Sequence, residues 1–369
     1  MNNIKKIGLT ALATTLVASS AYAGEASVSG SVGYTWATKS GNTSDTDSDH
    51  GKGIGIDNSL AFNYSGDLDN GWSVAGYTTL NDSFGLTSSA VTLTMGDMGS
   101  ITGGSGFGGN SASFDEEIPH AYEQVDDGSA TATSMNLVGS KLDNGGLAYT
   151  APVQDIAGAT VTVKLGYTPK AEDAYTTGGS TTGLSSTWGS GTDLGLLIAH
   201  ESGLTLGVYG AERKREGGAS ATATDEFSGS WFAKYSMGPV TIGYQESYYD
   251  PGLTPASDGT AANTAKTLAT AGSGIFSAEA YSIAFNVNDD LSVSYAKAED
   301  TYDAQAGWTA GAVSGDKVND VTLDVKSIQA AYSMGSMSVK VYRTESDNNN
   351  YNSNGGSMTK NEIALGISF

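Results

Sequence analysis

The last eight residues, EIALGISF (362–369), alternate between small or polar side chains and large apolar ones. In an extended strand, successive side chains point to opposite faces, so the large residues from Ile363 to Phe369 lie on one face and the others on the opposite face. The segment SVSGSVGYTW (27–36) has the same pattern. Both stretches are therefore predicted to be strands with one apolar and one polar face.

The chain between these two stretches divides into further alternating segments of about ten residues. Seven short turns and eight long connections rich in Gly, Ser and Asn separate them, which predicts sixteen strands. We place the short turns at 66–71, 96–98, 152–158, 201–203, 237–239, 288–290 and 334–336. In 320–326 the apolar residues fall out of register with those that follow, which predicts a bulge or a loop hairpin there.

An even number of antiparallel strands, with short turns at one end and long loops at the other, is typical of a bacterial transmembrane β-barrel. Within lipid every backbone N–H and C=O must find a partner inside the protein, and a closed barrel achieves this with strands. A secreted β-sandwich or a repeat adhesin would also show alternating strands, although the sequence has no fixed-period repeat. We predict an all-β, sixteen-stranded antiparallel transmembrane barrel.

The composition excludes several other classes of protein. The chain has 369 residues, of which 50 are glycine, and no cysteine, so disulfides and thiolate chemistry are absent. Its 40 acidic residues against 18 basic ones give a net charge of −22, which argues against binding nucleic acid. Only 38% of the residues are hydrophobic, fewer than in an ordinary globular domain.

Residues 1–23 have the features of a secretory signal peptide. Lys5 and Lys6 precede an apolar stretch from Ile7 to Ala18, and Ala21 and Ala23 form an A-x-A cleavage site. We expect cleavage there, export of the chain, and a mature barrel that comprises residues 24–369.

Three short stretches resemble the general porins of Gram-negative bacteria, most closely their alpha- and betaproteobacterial branch. They are the closing strand with Phe369, the segment GLAYTAP (146–152) and the turn GDMGSIT (96–102). The resemblance implies a homotrimeric outer-membrane channel that contacts lipid and lipopolysaccharide, with short periplasmic turns and long extracellular loops. It also implies that the third loop folds inward to narrow the pore, and that the barrel-assembly machinery recognises Phe369 as a C-terminal signal.

Residues 104–140 form the longest irregular segment and correspond in position to this constriction loop. The segment has no Lys or Arg but several carboxylates, and we predict that those that set ion selectivity are Asp115, Glu116, Glu117 and Glu123. Carboxylates in a narrow aqueous passage attract cations and repel anions. An acidic loop exposed to solvent at the surface is the alternative.

Alternation also identifies the bases that would face these acids from the pore wall. Lys164, Lys340 and Lys360 share the inward register of their strands, and Lys141 directly follows the acidic loop. By the same criterion Lys297 and Lys326 point outward. Because this basic wall is sparse, we expect the channel to prefer cations.

The expected function is therefore passive diffusion of small hydrophilic solutes and ions, without cofactor, metal site or enzymatic chemistry. No G-x-S-x-G motif accompanies His120, which is the only histidine among the loop acids. Two alternatives stay open. A substrate-specific channel would use inward tyrosines such as Tyr209, Tyr249 and Tyr342, and a non-conducting surface barrel or adhesin would have a plugged lumen.

Overall fold

The computed structural model describes residues 24–41, 50–142, 145–171, 188–216, 224–252, 275–303, 308–309, 312–313, 320–351 and 356–369. The predicted signal peptide, residues 1–23, lies outside the described residues. None of the helices in the described ranges is long and apolar enough to cross a membrane.

Sixteen antiparallel strands form one closed barrel, as the alternation predicts. They are β1 (Glu25–Gly41), β2 (Gly51–Asp67), β3 (Ser73–Leu80), β4 (Leu86–Thr94), β5 (Ser100–Ser105), β6 (Leu147–Thr150 and Gln154–Ile156), β7 (Ala159–Thr168), β8 (Trp188–His200), β9 (Leu204–Arg215), β10 (Glu226–Met237), β11 (Val240–Asp250), β12 (Ile275–Asn286), β13 (Leu291–Asp303), β14 (Val321–Met334), β15 (Met337–Asp347) and β16 (Ser357–Ser368). Short 3-10 helices occur at Gly96–Met98, Ser111–Ser113, Ser134–Leu137, Ser140–Leu142 and Asn349–Tyr351, and a two-residue ladder pairs Trp308–Thr309 with Ala312–Val313.

The barrel closes between its first and last strands. β16 pairs with one edge of β1, from Ser31 opposite Ser368 to Gly41 opposite Met358, and β2 pairs with the other edge. Beyond the end of β16, the N–H of Phe369 donates to the carbonyl oxygen of Gly30 at 3.0 Å, and the Gly30 N–H donates to the Phe369 carbonyl oxygen at 2.9 Å. Each of the sixteen described strands therefore has a partner on both sides, and the sheet has no free edge.

All seven predicted short turns connect neighbouring strands at one end of the barrel, although residues 154–156 of the turn predicted at 152–158 belong to strand β6. The turn before β7 differs from the others because β6 is interrupted at 151–153. Pro152 has no N–H to donate, which breaks the ladder there. The preceding Ala151 N–H still donates to the Val163 carbonyl oxygen at 2.9 Å. β6 then resumes beside β7 with its register shifted by one residue, because Thr150 lies opposite Lys164 but Gln154 lies opposite Val161.

The outward face is apolar along most of its height. Side chains such as Ile54, Ile56, Leu194 and Ile328 are more than half exposed on this face. Hydroxyl side chains alternate with them on the inner face, where Ser31 and Ser59 on neighbouring strands lie 2.8 Å apart. A sheet with this arrangement is suited to lipid outside and water inside.

The expected bulge or hairpin at 320–326 is wrong, because Val321–Met334 is one continuous strand in regular register with β13. The apolar residues change register because the inner wall itself becomes apolar here. Val321, Leu323 and Val325 point inward and are buried, whereas Ile328 further along points outward and is 60% exposed. Side chains thus continue to alternate between the two faces of the strand, while the inner face changes from polar to apolar.

A prediction concerns the closing seam. A Cβ on Gly30 would lie 2.8 Å from the Phe369 ring and 3.1 Å from the Ser59 carbonyl oxygen, whereas a Cβ on Gly33 would meet Asp57 at 3.7 Å, an ordinary contact. We expect Gly30→Ala to destabilise the barrel by about 1–3 kcal/mol relative to Gly33→Ala, a typical cost of overpacking. The measurement is the urea midpoint of the refolded barrel. Adding Phe369→Ala should remove most of the difference between the two variants, and equal stability of the single variants would contradict the assignment.

Candidate functional site: the segment inside the barrel

Residues 106–142, which we call the inward segment, connect β5 to β6 and lie against the inner wall of the barrel. Phe114 is fully buried, stacks on Tyr209 with the ring centroids 5.1 Å apart, and lies 6.3 Å from the Phe232 ring. A glycine in the wall makes room for it, because a Cβ at Gly195 would lie 2.5 Å from the Phe114 ring. The first part of the segment is thus held by an aromatic side chain inserted between wall residues.

The segment departs slightly from the expected bounds of 104–140. Strand β5 extends to Ser105, and the connection continues through the 3-10 helix Ser140–Leu142. At that end the Thr168 hydroxyl donates to the Leu142 carbonyl oxygen at 3.0 Å. Both ends of the segment are therefore attached to the wall.

A buried glutamine on β11 holds the segment next to Phe114. Gln245 is completely buried; its Nε2 donates to the carbonyl oxygen of Phe114 at 3.2 Å and to that of Asp115, and its Oε1 accepts the N–H of Glu117 at 2.6 Å. The Ser230 hydroxyl also donates to the Phe114 carbonyl oxygen, at 2.6 Å. Irregular backbone inside the barrel thus has its polar groups satisfied by wall side chains.

A second glutamine, on β14, repeats the arrangement further along the segment. The Oε1 atom of Gln329 accepts the N–H groups of Tyr122 at 2.9 Å and Glu123 at 3.0 Å, and its Nε2 donates to the Glu123 carbonyl oxygen at 2.6 Å. The Thr344 hydroxyl donates to the Asp127 carbonyl oxygen at 2.8 Å. The backbone that carries Tyr122 and Glu123 is therefore held in one position.

A buried aspartate on β13 holds the third part. The carboxylate of Asp300 accepts the N–H of Ser134, the Ser134 hydroxyl at 3.0 Å and the Tyr351 hydroxyl at 2.7 Å. Tyr351 belongs to the 3-10 helix after β15, so this carboxylate also joins a second connection to the inward segment.

The underside of the segment is apolar. Ile118, Val125 and Met135 are buried against the inner face of β12, β13 and β14. The wall presents short side chains at these places, namely Ala278, Ala280, Ala296 and Ala298. Because these inward side chains are small, the backbone of the segment can approach the wall closely. The apolar side chains of the segment and of the wall then form one hydrophobic cluster.

Three of the four predicted acids lie in partly exposed positions on the segment: Asp115, Glu117 and Glu123. Glu117 forms a 2.5 Å ion pair with Lys234 of β10, a base that our sequence analysis missed. The signal was available, because Lys234 alternates with the outward residues Ala233 and Tyr235 and so has inward parity. The Glu117 carboxylate is therefore partly neutralised by the wall.

The other two exposed acids hold their protons more tightly than an ordinary carboxyl group. Burial is the main cause that raises the pKa of Asp115. Burial also raises the pKa of Glu123, and the neighbouring Asp127 raises it further, while Lys340 acts in the opposite direction. Their charge is thus expected to develop at a higher pH than that of a solvated carboxylate.

The fourth predicted acid, Glu116, also belongs to the inward segment, but its side chain is only 5% exposed. Neither of its carboxyl oxygens accepts a hydrogen bond within the described residues. Burial and the adjacent Asp126 raise its pKa to about 11, so Glu116 is neutral at pH 7. Asp126 in turn accepts the Thr133 N–H at 2.6 Å and the Asn136 amide at 2.9 Å.

The predicted basic residues lie close to the inward segment. Lys164 donates to the Ser113 hydroxyl at 2.7 Å, and the ammonium of Lys340 lies 5.0 Å from the centre of the Tyr122 ring. Lys360 pairs with Glu362 at 3.1 Å, and Lys141 lies within the 3-10 helix at the end of the segment. The contacts of Lys164 and Lys340 fasten the segment, a role that sequence parity does not reveal, whereas the Lys360 ion pair lies within strand β16.

The tyrosines considered as a substrate track are buried. Tyr209 stacks on Phe114, Tyr249 packs on Phe276, and Tyr342 lies 5.8 Å from Tyr122, all with exposures of 8% or less. These buried positions point away from a line of open aromatic contacts.

Within the described ranges no group of three or more His, Asp or Glu residues is arranged to hold a metal ion.

Open space remains beside the segment. A cavity of about 550 Å³ lies between Tyr122 and Glu123 on one side and the wall of β1, β2, β15 and β16 on the other. Ser31, Thr35 and Asp57 contribute to that wall. Further around, Thr92 and Thr102 face the lumen with their hydroxyls 2.8 Å apart. The wall opposite the segment is therefore hydrophilic and has few charges.

Comparison with solved structures finds barrels that match nearly the whole chain. The trimer form of the in-vitro folded OmpT of Vibrio cholerae is 12% identical with a TM-score of 0.59, and covers 94% of this chain and 100% of its own. OmpF of Salmonella typhi is 13% identical with a TM-score of 0.60, over 93% and 97% of the two chains. The anion-selective porin of Comamonas acidovorans is 13% identical with a TM-score of 0.59, over 94% and 100%.

The chain has the fold of the bacterial porins. No family profile and no curated protein sequence matches it. At these levels of identity the comparison shows the fold alone, so the chemistry of the lumen has to be argued from the side chains of this chain.

The buried carboxyl provides the second prediction. Because the pKa of Glu116 is raised from 4.5 to about 11, the native state keeps a proton that the unfolded state loses, and stability falls as pH rises between these values. We expect Glu116→Gln to flatten this dependence by up to about 1.4 kcal/mol per pH unit, the limit for one proton. Urea midpoints at pH 6 to 9 measure it. A Glu116→Gln variant with the same pH slope as the native protein would contradict a neutral Glu116.

Proposed function

We propose that the protein is a diffusion channel of the bacterial outer membrane that passes small hydrophilic solutes and ions and prefers cations. The observation that carries the proposal is a closed barrel whose outward face is apolar, and whose inner segment is fastened to one side of the wall beside a hydrophilic cavity. A segment held at so many points narrows a passage without requiring motion, which suits passive diffusion.

The charges along the lumen support cation preference. Glu117 is balanced by Lys234, and Glu362 by Lys360, but Asp115 and Glu123 add negative charge that the nearby bases only partly offset. One structural neighbour is described as anion-selective although it has the same fold. Selectivity therefore depends on the side chains that face the passage.

The outward face supports a position in a membrane. On β11 to β14 a row of acids lies directly opposite one another: Glu246, Glu279, Glu299 and Asp324. Lys297, which points outward as expected, bridges Glu299 and Asp324, the latter at 3.1 Å. Because charges are costly in hydrocarbon, we place this row at the level of the headgroups, where lipid and lipopolysaccharide would be its neighbours.

Two further partners belong to the same proposal. A homotrimer is supported by the trimer form of OmpT, which shares the fold. Recognition of the last strand by the barrel-assembly machinery would suit the seam, because Phe369 is 73% exposed and pairs with the first strand only once the barrel closes. We propose no enzymatic role.

The two alternative functions require a different lumen from the one in this structure. A substrate-specific channel would need exposed contacts along the passage, yet the three candidate tyrosines are covered. A non-conducting adhesin would need a plugged lumen, whereas a cavity lies beside the segment. Diffusion accounts for both observations.

The third prediction tests conduction and its selectivity together. In a planar bilayer under a potassium chloride gradient, the refolded barrel should give stepwise conductance with a reversal potential that favours potassium. Replacing Asp115 by Asn and Glu117 and Glu123 by Gln should shift this potential towards zero, because the exposed acids of the inward segment are lost. Glu116→Gln is the matched control and should leave it unchanged. Absence of current from a folded barrel would refute the diffusion channel.

The fourth prediction concerns pH. Because burial and Asp127 raise the pKa of Glu123, its negative charge is present above its folded pKa and is lost as pH falls through it, at a higher pH than the ordinary value near 4. Cation preference should therefore increase as pH rises from about 4 to 8. Reversal potentials measured across this range should show a smaller change in Glu123→Gln. An identical pH dependence in both proteins would exclude Glu123 as the titrating group.

A further inference from the structure

The wall that faces the inward segment has few charged side chains. On β1 to β5 the described residues with inward parity include Glu25 and Asp67 near the short turns, Lys39 near the long connections, and Asp57 between them. Sequence reasoning did not single out Asp57, because it assumed that charges on this wall would be basic. The middle of the wall therefore carries an isolated carboxylate.

The register shows how Asp57 is presented. It lies opposite Gly33 on β1, and Gly33 lies opposite Gly366 on β16. One step along the strands, Thr35 lies between Gly55 and Ala364. Because these neighbours are glycine and alanine, the wall around the closing seam has no long side chains. The exposed Asp57 carboxylate is therefore not covered by its neighbours and faces the lumen.

The inward segment faces this surface with another carboxylate. Tyr122, Glu123 and Asp57 line the same cavity of about 550 Å³, and Lys340 lines it too. The backbone of Glu123 is held by both atoms of the Gln329 amide, and the Tyr122 hydroxyl donates to Glu362 at 3.1 Å. The backbone of Glu123 is thus fixed in position, and its side chain lines the cavity.

The charges that line this cavity sum to a negative value. Asp57 and Glu123 are two acids, whereas Lys340 is the one base among the described lining residues. An ion that crosses between the segment and the seam meets carboxylates on both sides. Opposed acids would repel one another in an empty passage, and a cation between them relieves this repulsion.

We propose that Asp57 is the second half of the cation filter, and that cations cross the constriction along the β16–β1–β2 wall between Asp57 and Glu123. The inference rests on the proposed diffusion channel and deepens it by assigning the ion path and a selectivity residue on the wall opposite the inward segment. It also predicts that the remote Asp115 and Glu117 contribute less to selectivity than Asp57 does.

The test uses reversal potentials of the full-length mature barrel under a potassium chloride gradient. Asp57→Asn, which keeps the shape and removes the charge, should at least halve the shift towards the potassium potential. Lys340→Gln should enlarge the shift, because it removes the opposing base. Asp57→Glu should retain cation preference, and Asp97→Asn, in the short turn between β4 and β5, is the matched control with an unchanged potential.

The outcomes separate this inference from the function on which it rests. A native barrel without current refutes the diffusion channel itself. Conducting Asp57→Asn with the native reversal potential overturns the role of Asp57 and leaves the channel standing. Loss of preference in Asp57→Glu as well as Asp57→Asn would also overturn it, because shape and not charge would then be decisive.

Discussion

The pairing of the first strand with the last is the constraint on which the rest of this structure depends. Until β16 pairs with β1, each presents a row of backbone N–H and C=O groups that lipid cannot satisfy. The bonds between Gly30 and Phe369 extend this pairing to the final residue, and the missing side chain at Gly30 leaves room for the aromatic ring. Closure also creates the interior of the barrel, and the contacts between the inward segment and the wall can form only once the barrel is closed.

Inside the barrel, one wall is a binding surface for the chain's own backbone. Gln245, Gln329 and Asp300 are buried polar side chains on β11, β14 and β13, and each holds a different part of the inward segment. Alanines between them allow close approach. The opposite wall has hydroxyls and glycines, and it is left for solvent. The same alternating pattern thus produces two inner surfaces, one that binds the inward segment and one that faces solvent.

This division explains why the sequence predicted the strands better than the site. Alternation depends on neighbours in the chain, so strand number and turn positions could be read directly. It failed at 320–326, where Val321, Leu323 and Val325 face a distant segment and not water. Parity placed Lys164 and Lys340 on the inner wall, but it could not show that they contact the segment, nor that Lys234 is the partner of Glu117.

The sequence by itself determined the barrel, its sixteen strands and the face on which each strand residue lies, because these follow from the two-residue period of a strand and from the chemistry of turns. Only the tertiary structure decided which carboxylates meet water. Glu116 and Glu117 are adjacent in sequence, yet one is buried against Asp126 and neutral while the other is paired with Lys234. The physical reason is that burial and charge pairing are set by residues far away in the chain, which the folded barrel brings together.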